Sequence, residues 1–347
     1  MYVRRMTLSA HFARLLLIVG FGVAAKGSAA ACDLPPPPVV DLGLSRYYAD
    51  DAGSVVDPGR KAAHDRATRP VRRWLDHVTR NADLAARQPT RASAAYPAQC
   101  SAEWLVRWAR GGALLGDLAS KQAEAERRWT LAGAALAYLK IKGHVADGDR
   151  KVIEDWLVSL ADAARGAFVS SGSKANNHAY WLALGLAATA MASERDDLWS
   201  AARTIAFAGL GDIGVDGTLP LELARGSRAL HYHAFACMPL VTLAWLAHQR
   251  GEDWISIENA ALGRLVRATA EGLAEPEQFD RLAGVAQERP VKPGAGWLMF
   301  WEQWRGPLDI AGVPEMPSGN RWLGGNVLVL VQSLTRGSAD LRQAPEK

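Results

Sequence analysis

The chain has 347 residues, enough for one large domain or two ordinary ones, with a substantial core. Apolar residues make up 49% and charged residues 22%, which excludes a disordered or collagen-like chain, and three cysteines are too few for a disulfide scaffold. The net charge of +4 invites a polyanion partner, but Arg4, Arg5, Arg14 and Lys26 supply all of it. The remaining 36 basic and 36 acidic residues balance, so anion binding must come from local clustering, and nothing indicates a nucleic-acid partner.

Those four cations surround an apolar run from Leu15 to Val23, and small residues from Ser28 to Ala31 follow it. A basic segment, an apolar segment and a small-residue site predict a secretory signal over residues 1–30, leaving 31–347 as the mature domain. The apolar run is too short to span a bilayer, and no later run reads as a membrane span. Export implies an oxidising compartment, here the periplasm, where disulfides persist. Cys32, beside the Pro35–Pro38 run, and Cys100, after Tyr96-Pro97, both lie in loop-like sequence. A Cys32–Cys100 bridge would fasten the N-terminal arm, whereas Cys237 lies in an apolar run and reads as a small buried hydrophobe.

Residues 33–65 read as irregular, and from Arg66 the pattern turns helical. Helical spacing predicts helices over 102–118, 124–142, 149–169, 178–193, 196–208, 228–249, 255–272 and 319–334. The best strand signal, residues 327–331, sits inside the last of these. Breaks carry Gly, Asn, Asp or Pro. Many medium helices without a βαβ rhythm predict an all-α fold of antiparallel hairpins. The long irregular stretches 43–60 and 305–319 are candidate lids or cleft walls.

Several motifs fail on context. Gly209 to Gly214 spells a dinucleotide fingerprint, but it follows a helix and opens none. His231 and His233 lack a third obvious ligand, so neither a metal nor another cofactor is expected. Glu154 and Asp155 are adjacent on a helix and point apart, unlike a glycosidase pair.

Two segments concentrate polar chemistry. In Lys174 to Trp181, Asn176 or Asn177 can cap the helix that follows, and an amide with an imidazole at a helix N-terminus also suits an anion. In Glu222 to His233, Arg228, Tyr232 and Phe235 share a helical face, with Arg225 about a turn earlier. The residues alone support an exported all-α protein with an acidic-ligand cleft.

The order Asn-Asn-His-x-Tyr-Trp (176–181), Asp-Gly-x-Leu-Pro-x-Glu-Leu (216–223) and Arg-x-x-Arg-Ala-Leu-x-Tyr-His (225–233) resembles the mannuronate-specific alginate lyases of polysaccharide lyase family 5. Ser45-Arg46-Tyr47, Trp104, Trp108-Ala109-Arg110, residues 153–156 and Leu323-Gly324-Gly325 extend the resemblance, and Cys32 and Cys100 fit the family's first disulfide. It implies an incomplete (α/α) toroid with a central cleft and a lid loop. The reaction implied is cofactor-free β-elimination on an acidic polysaccharide, by a monomer. Asn177, His178 and Arg225 match groups that neutralise the substrate carboxylate, and Tyr232 matches the acid and base. A nearby Arg must favour tyrosinate if Tyr232 is to take a proton. In mannuronate the C5 hydrogen and C4 oxygen share one ring face, so a single residue can serve both. Guluronate needs a second group, for which His178 is the candidate.

Arg46 and Tyr47 match the lid, Trp129 and Trp181 are cleft candidates, and Arg228 and Arg321 complete the expected substrate contacts. The family usually has Arg immediately before Leu-Gly-Gly, whereas here Trp322 intervenes after Arg321. His231 replaces a small residue, and Phe235 stands where Tyr is frequent. Alternatives are a lyase for polyglucuronate or hyaluronan-like chains, and a non-catalytic polyuronate-binding or export protein on the same fold.

Overall fold

The computed structural model describes residues 32–50, 53–172, 175–289 and 291–333. The expected signal, residues 1–30, and Lys174 lie outside them. The chain divides into Met1–Asp33 and a compact unit, Leu34–Lys347, which carries the fold.

Its helices are α1 (Pro58–Ala86), α2 (Arg91–Arg110), α3 (Lys121–Ile141), α4 (Asp147–Ser170), α5 (Asn177–Ser193), α6 (Asp196–Gly211), α7 (Pro220–Leu223), α8 (Ala229–Gln249), α9 (Ile257–Ala274), α10 (Glu277–Ala283) and α11 (Trp297–Arg305). Near the C-terminus, β1 (Gly319–Asn320) pairs antiparallel with β2 (Gly325–Asn326) around a 3₁₀ turn, Arg321–Leu323, and residues 327–333 are helical.

The helices form two layers. Helices α3, α5 and α8 are buried on nearly every face, α5 and α8 as their all-round apolar sequences require and α3 although Glu126, Arg127, Arg128 and Lys140 are buried with it. With α1 they make an inner row in which α1 packs on α3, α3 on α5 and α5 on α8. Helices α2, α4, α6 and α9 bury one face against that row. Alanines line α3 and α5 where they meet, which lets the helix axes approach.

Most tryptophans are core, and several have satisfied N–H groups. Trp74 stacks on Trp108 at 4.3 Å, and the indoles of Trp74, Trp108 and Trp156 donate to the carbonyls of Trp104, Pro36 and Ala113. Cys32 and Cys100 are the disulfide-bonded cysteines. Cys237 is free and buried, and burial pushes its thiol up to about 12.

Five expectations change. Helix α1 starts at Pro58, not Arg66, because Asp57 caps it and Pro58 has the φ of a first helical turn. Cys100 lies inside α2, which runs through Pro97. The stretch Gly226–Gln249 is apolar and long enough by composition to cross a membrane, but it is the α8 region and is buried in the inner row. Residues 319–326 are not helical. A Cβ on Gly319 would meet Gly325 O at 1.9 Å, and Lys140 Nζ holds Gly324 O at 2.7 Å and Asn326 O at 3.1 Å, so a buried side chain takes carbonyls that a helix would use internally. The strand reading of 327–331 gives way to helix.

Candidate active site

Three local structures bring the polar residues together. Asn176 caps α5, its side chain accepting from His178 N at 3.0 Å. This places Asn177 and His178 in the first turn, where the helix dipole favours an anion. Before α7, Asp216 turns the chain by accepting from Thr218 N at 3.0 Å. His233 of α8 accepts from Leu219 N at 2.9 Å through Nε2, while its Nδ1 lies 2.8 Å from Ala229 O. That pair of contacts anchors α7, and α7 carries Glu222 into the protein. Helix α8 opens after a 3₁₀ turn, Gly226–Arg228, which places Arg228, Tyr232 and Phe235 on one face as expected.

Tyr232 is the centre. The Arg225 guanidinium lies 4.4 Å and that of Arg228 5.2 Å from its ring centroid. Tyr232 Oη is 2.8 Å from Tyr48 Oη, which is 3.2 Å from Tyr47 Oη and receives Arg228 Nη1 at 3.0 Å. The lid stretch therefore reaches the site through Tyr48, a residue the sequence reading missed. Tyr47 packs edge-on against His64 at 4.8 Å instead. Arg46 is exposed and donates to Asp50 O.

Burial, reinforced by Tyr48, raises the Tyr232 hydroxyl above the ordinary tyrosine value, although Arg228 and Arg225 pull it down. The expected arginine effect is present but outweighed. For Tyr48, burial is opposed by hydrogen bonds to Tyr232 and Tyr47 and by the Arg228 charge, and its net shift is downward. Of the two, Tyr48 is the better proton donor. His178 is pushed down to about 3 by burial and by the charges of Arg128 and Arg225, so its imidazole is neutral at working pH.

Glu222, also absent from the expected site, is fully buried. Its Oε1 accepts Asn177 N at 2.7 Å and Asn177 Nδ2 at 2.9 Å, and its Oε2 lies 3.6 Å from Arg225 Nε.

Beside Tyr232 lies an aromatic wall. Trp129 sits 4.7 Å from Trp322, 5.9 Å from Phe235 and 6.0 Å from His178, and His231 is 6.3 Å from Phe235. Trp181 backs this wall from the core, fully buried. Unlike those of Trp74, Trp108 and Trp156, the indole nitrogens of Trp129 and Trp181 have no hydrogen-bond partner, and neither do Asn177 Oδ1, His178 Nδ1, Arg128 Nε and His231 Nδ1. Each such atom costs roughly 1–3 kcal/mol when left unmade. Arg321 is not brought to this group. It makes a two-pronged pair with Asp76 of α1 at 2.7 and 2.8 Å, and its neighbour Trp322 faces the cleft residues instead. Among the described residues, no three His, Cys, Asp or Glu side chains come together as a metal would require.

A double layer of helices enclosing a tyrosine flanked by arginines, with an aromatic wall, is the arrangement of a polysaccharide lyase of the (α/α) toroid kind. The alginate lyase family profile matches residues 42–279, and the chain belongs to that family. A polysaccharide lyase of Stenotrophomonas maltophilia is 40% identical over 282 residues, covering 80% of this chain and 83% of that protein. An alginate lyase of Pseudomonas paraeruginosa is 30% identical over 274 residues, covering 76% and 73%. Alginate lyase A1-III from Sphingomonas species A1 superposes with a TM-score of 0.72 at 22% identity over 87% of this chain and 86% of that one. A variant of A1-III complexed with a tetrasaccharide gives 0.75 at 21% identity, over 86% and 85%. These two likenesses establish the toroid.

Proposed function

We propose that the mature protein, residues 31–347, is exported to the periplasm and cleaves mannuronate-rich alginate by β-elimination at the 4-O-glycosidic bond. The observation that carries this reading is Tyr232, held between two guanidinium groups and hydrogen-bonded to Tyr48. Abstraction of the C5 hydrogen builds negative charge next to the uronate carboxylate. Arg225 and the α5 N-terminus bearing Asn177 and His178 supply the charge and dipole that stabilise it.

In the free protein Tyr232 keeps its proton. It becomes the base once that proton is lost to solvent, the tyrosinate then facing the charges of Arg228 and Arg225 and the Tyr48 hydroxyl 2.8 Å away. Tyr232 Oη then takes the C5 hydrogen, the C5–H electron pair becomes the C4=C5 double bond, and the C4–O4 bond breaks. The same proton moves from Tyr232 to the departing O4. The products are a new chain end and a 4,5-unsaturated uronate. One residue serves both steps because the two leaving groups of mannuronate share a ring face. Trp129, Phe235 and Trp322 offer apolar faces to sugar rings.

The test is ultraviolet absorbance of the unsaturated product with purified polymannuronate, polyguluronate, polyglucuronate and hyaluronan as separate substrates. Polymannuronate should be cleaved fastest. Faster cleavage of polyglucuronate or hyaluronan would replace the substrate, and no absorbance on any polymer would leave a binding protein.

A further inference from the structure

Helix α1 carries a charge pattern that the chemistry at Tyr232 does not use. Between Pro58 and Arg87 stand eight cations and three carboxylates, although the charges of residues 31–347 balance overall. Arg66, Arg73, Arg80 and Arg87 recur every seven residues, and Arg69 lies between the first two. At about 3.6 residues per turn, all five fall within roughly 60° of one another around the helix axis. All five are exposed, so this face of α1 is one stripe of guanidinium groups.

The carboxylates of α1 do not neutralise the stripe. Asp65 pairs with Lys61 and Arg72, Asp76 with Arg321, and Asp83 with Lys140. Among the described residues, no carboxylate forms an ion pair with any of the five arginines. A face that serves solubility alone interleaves both signs, and like charges three and four residues apart, as at Arg66, Arg69 and Arg73, weaken a helix.

The spacing suits a chain of regularly placed anions. Seven residues of helix rise about 10.5 Å, and Arg66 to Arg87 spans about 31 Å. In an extended 1,4-linked polymannuronate successive rings turn over, so carboxylates on one edge recur every second sugar, a length close to one such step. Each guanidinium can take a carboxylate in a planar fork. The stripe also starts near the lid. Helix α1 begins where the lid stretch ends, and Arg60 of its first turn donates to Tyr48 O at 3.3 Å. Arg66 stands less than two turns further along.

We propose that the arginine stripe of α1 is a docking track for the substrate polymer outside the cleft, holding one stretch of a polyuronate chain while another stretch occupies the site at Tyr232. The proposal rests on the lyase reading above and adds a second point of attachment to it. Two attachments on one chain raise the local concentration of the second segment, which acts on KM and leaves the reacting atoms untouched.

The test variant combines Arg66→Gln, Arg69→Gln, Arg73→Gln, Arg80→Gln and Arg87→Gln. On long polymannuronate at ~0.1 M salt KM should rise about tenfold with kcat nearly unchanged, and the difference should vanish at ~1 M salt, where the screening length is about 3 Å. On a mannuronate tetrasaccharide, shorter than the stripe itself, kcat/KM should stay as in wild type. An unchanged KM on the long polymer overturns the proposal, and so does an equal loss on the tetrasaccharide, which is what a weakened cleft or fold gives. Binding is read separately in a Tyr232→Phe background, which leaves the polymer intact, with labelled polymannuronate and with phosphatidylglycerol vesicles. Polymannuronate binding should weaken several-fold when the stripe is neutralised. Vesicle binding that depends on the stripe, with polymannuronate binding that does not, assigns the surface to a membrane and overturns the proposal. If the combined variant does not fold by circular dichroism, the changes at Arg66, Arg69 and Arg73 and those at Arg80 and Arg87 are read as two proteins. Each should show part of the rise in KM, and no rise in either overturns the proposal. A wild-type protein inactive on every polyuronate overturns the lyase reading and this inference with it. An active wild type whose KM ignores the stripe overturns the inference alone.

Discussion

Replacing Tyr232 by Phe removes one oxygen and keeps the ring between Arg225 and Arg228. Folding should be little disturbed, and turnover should drop by the roughly 10²–10⁴-fold typical of a lost acid–base group. Polymer binding should persist, because the groups facing the carboxylate remain. Arg225→Ala should behave differently, with both KM and kcat suffering, since it removes the charge that meets the substrate before and during the reaction. Steady-state kinetics and equilibrium binding to polymannuronate read the contrast, and near-normal turnover in a folded Tyr232→Phe protein would show that another residue moves the proton. Tyr232, His178, Asn177 and Arg225 were legible in the sequence because they sit in dense local motifs. Tyr48 was not, because its partner lies 184 residues away and its neighbour Tyr47 matches the motif better. Arg321 misled for the related reason that its type, a cation near the expected place, says nothing of Asp76, 245 residues earlier, which claims it.

At the scale of elements, the lid and α7 decide whether those residues meet. Gly53 has φ +72°, and an added Cβ would stand 2.7 Å from Arg225 Nη1. Gly53→Ala should strain the turn by about 1 kcal/mol and push the lid off Arg225. We expect kcat/KM to fall several-fold with little change in Tm, and an unchanged kcat/KM would show that this contact is incidental. Helix α7 hangs from His233, whose Nε2 must be unprotonated to accept Leu219 N–H. Burial holds this imidazole at about 4, below the ordinary 6.5. Between those values the unfolded chain binds a proton that the folded one refuses, so stability rises with pH through the window and is fully present above it. The difference amounts to roughly 3 kcal/mol. Urea midpoints measured from pH 4 to 7 should climb in wild type and climb less in His233→Gln, which can still accept from Leu219 but does not titrate. Parallel curves would place the acid sensitivity elsewhere. Helices α3 to α6, α8 and α9 were readable in the sequence, α5 and α8 as long apolar runs and the others from apolar residues at helical spacing. The start of α1 carried the Asp-Pro signal of a capped helix but few apolar residues, so its first turns read as loop.

The whole molecule depends on a buried cation that closes its C-terminal segment onto the inner row. Lys140 of α3 is buried, and its Nζ meets the Asp83 carboxylate of α1 and the carbonyls of Gly324 and Asn326. Asp83 Oδ2 in turn accepts Asn326 N at 2.8 Å. Burial pushes the lysine toward its neutral form and Asp83 opposes that, so the charge persists only while the carboxylate stays in place. No periodic pattern announces this knot, because its members lie on α1, α3 and the β1–β2 turn and meet only in the folded chain. Lys140→Met keeps the apolar stem but leaves Asp83 and two carbonyls without their donor. Removing one partner of such a pair costs about 3–5 kcal/mol, which for a chain of this size lowers Tm by roughly 10 °C. Because the same turn carries Trp322 against Trp129, KM for polymannuronate should rise along with the loss of stability. Adding Asp83→Leu should restore part of the Tm, since an apolar pair in place of a buried ion pair is tolerated where half a pair is not. Calorimetry of the single and double variants decides between the two possibilities: a Lys140→Met protein melting within 2 °C of wild type would mean that the C-terminal turn is held by Arg321 and Asp76 instead.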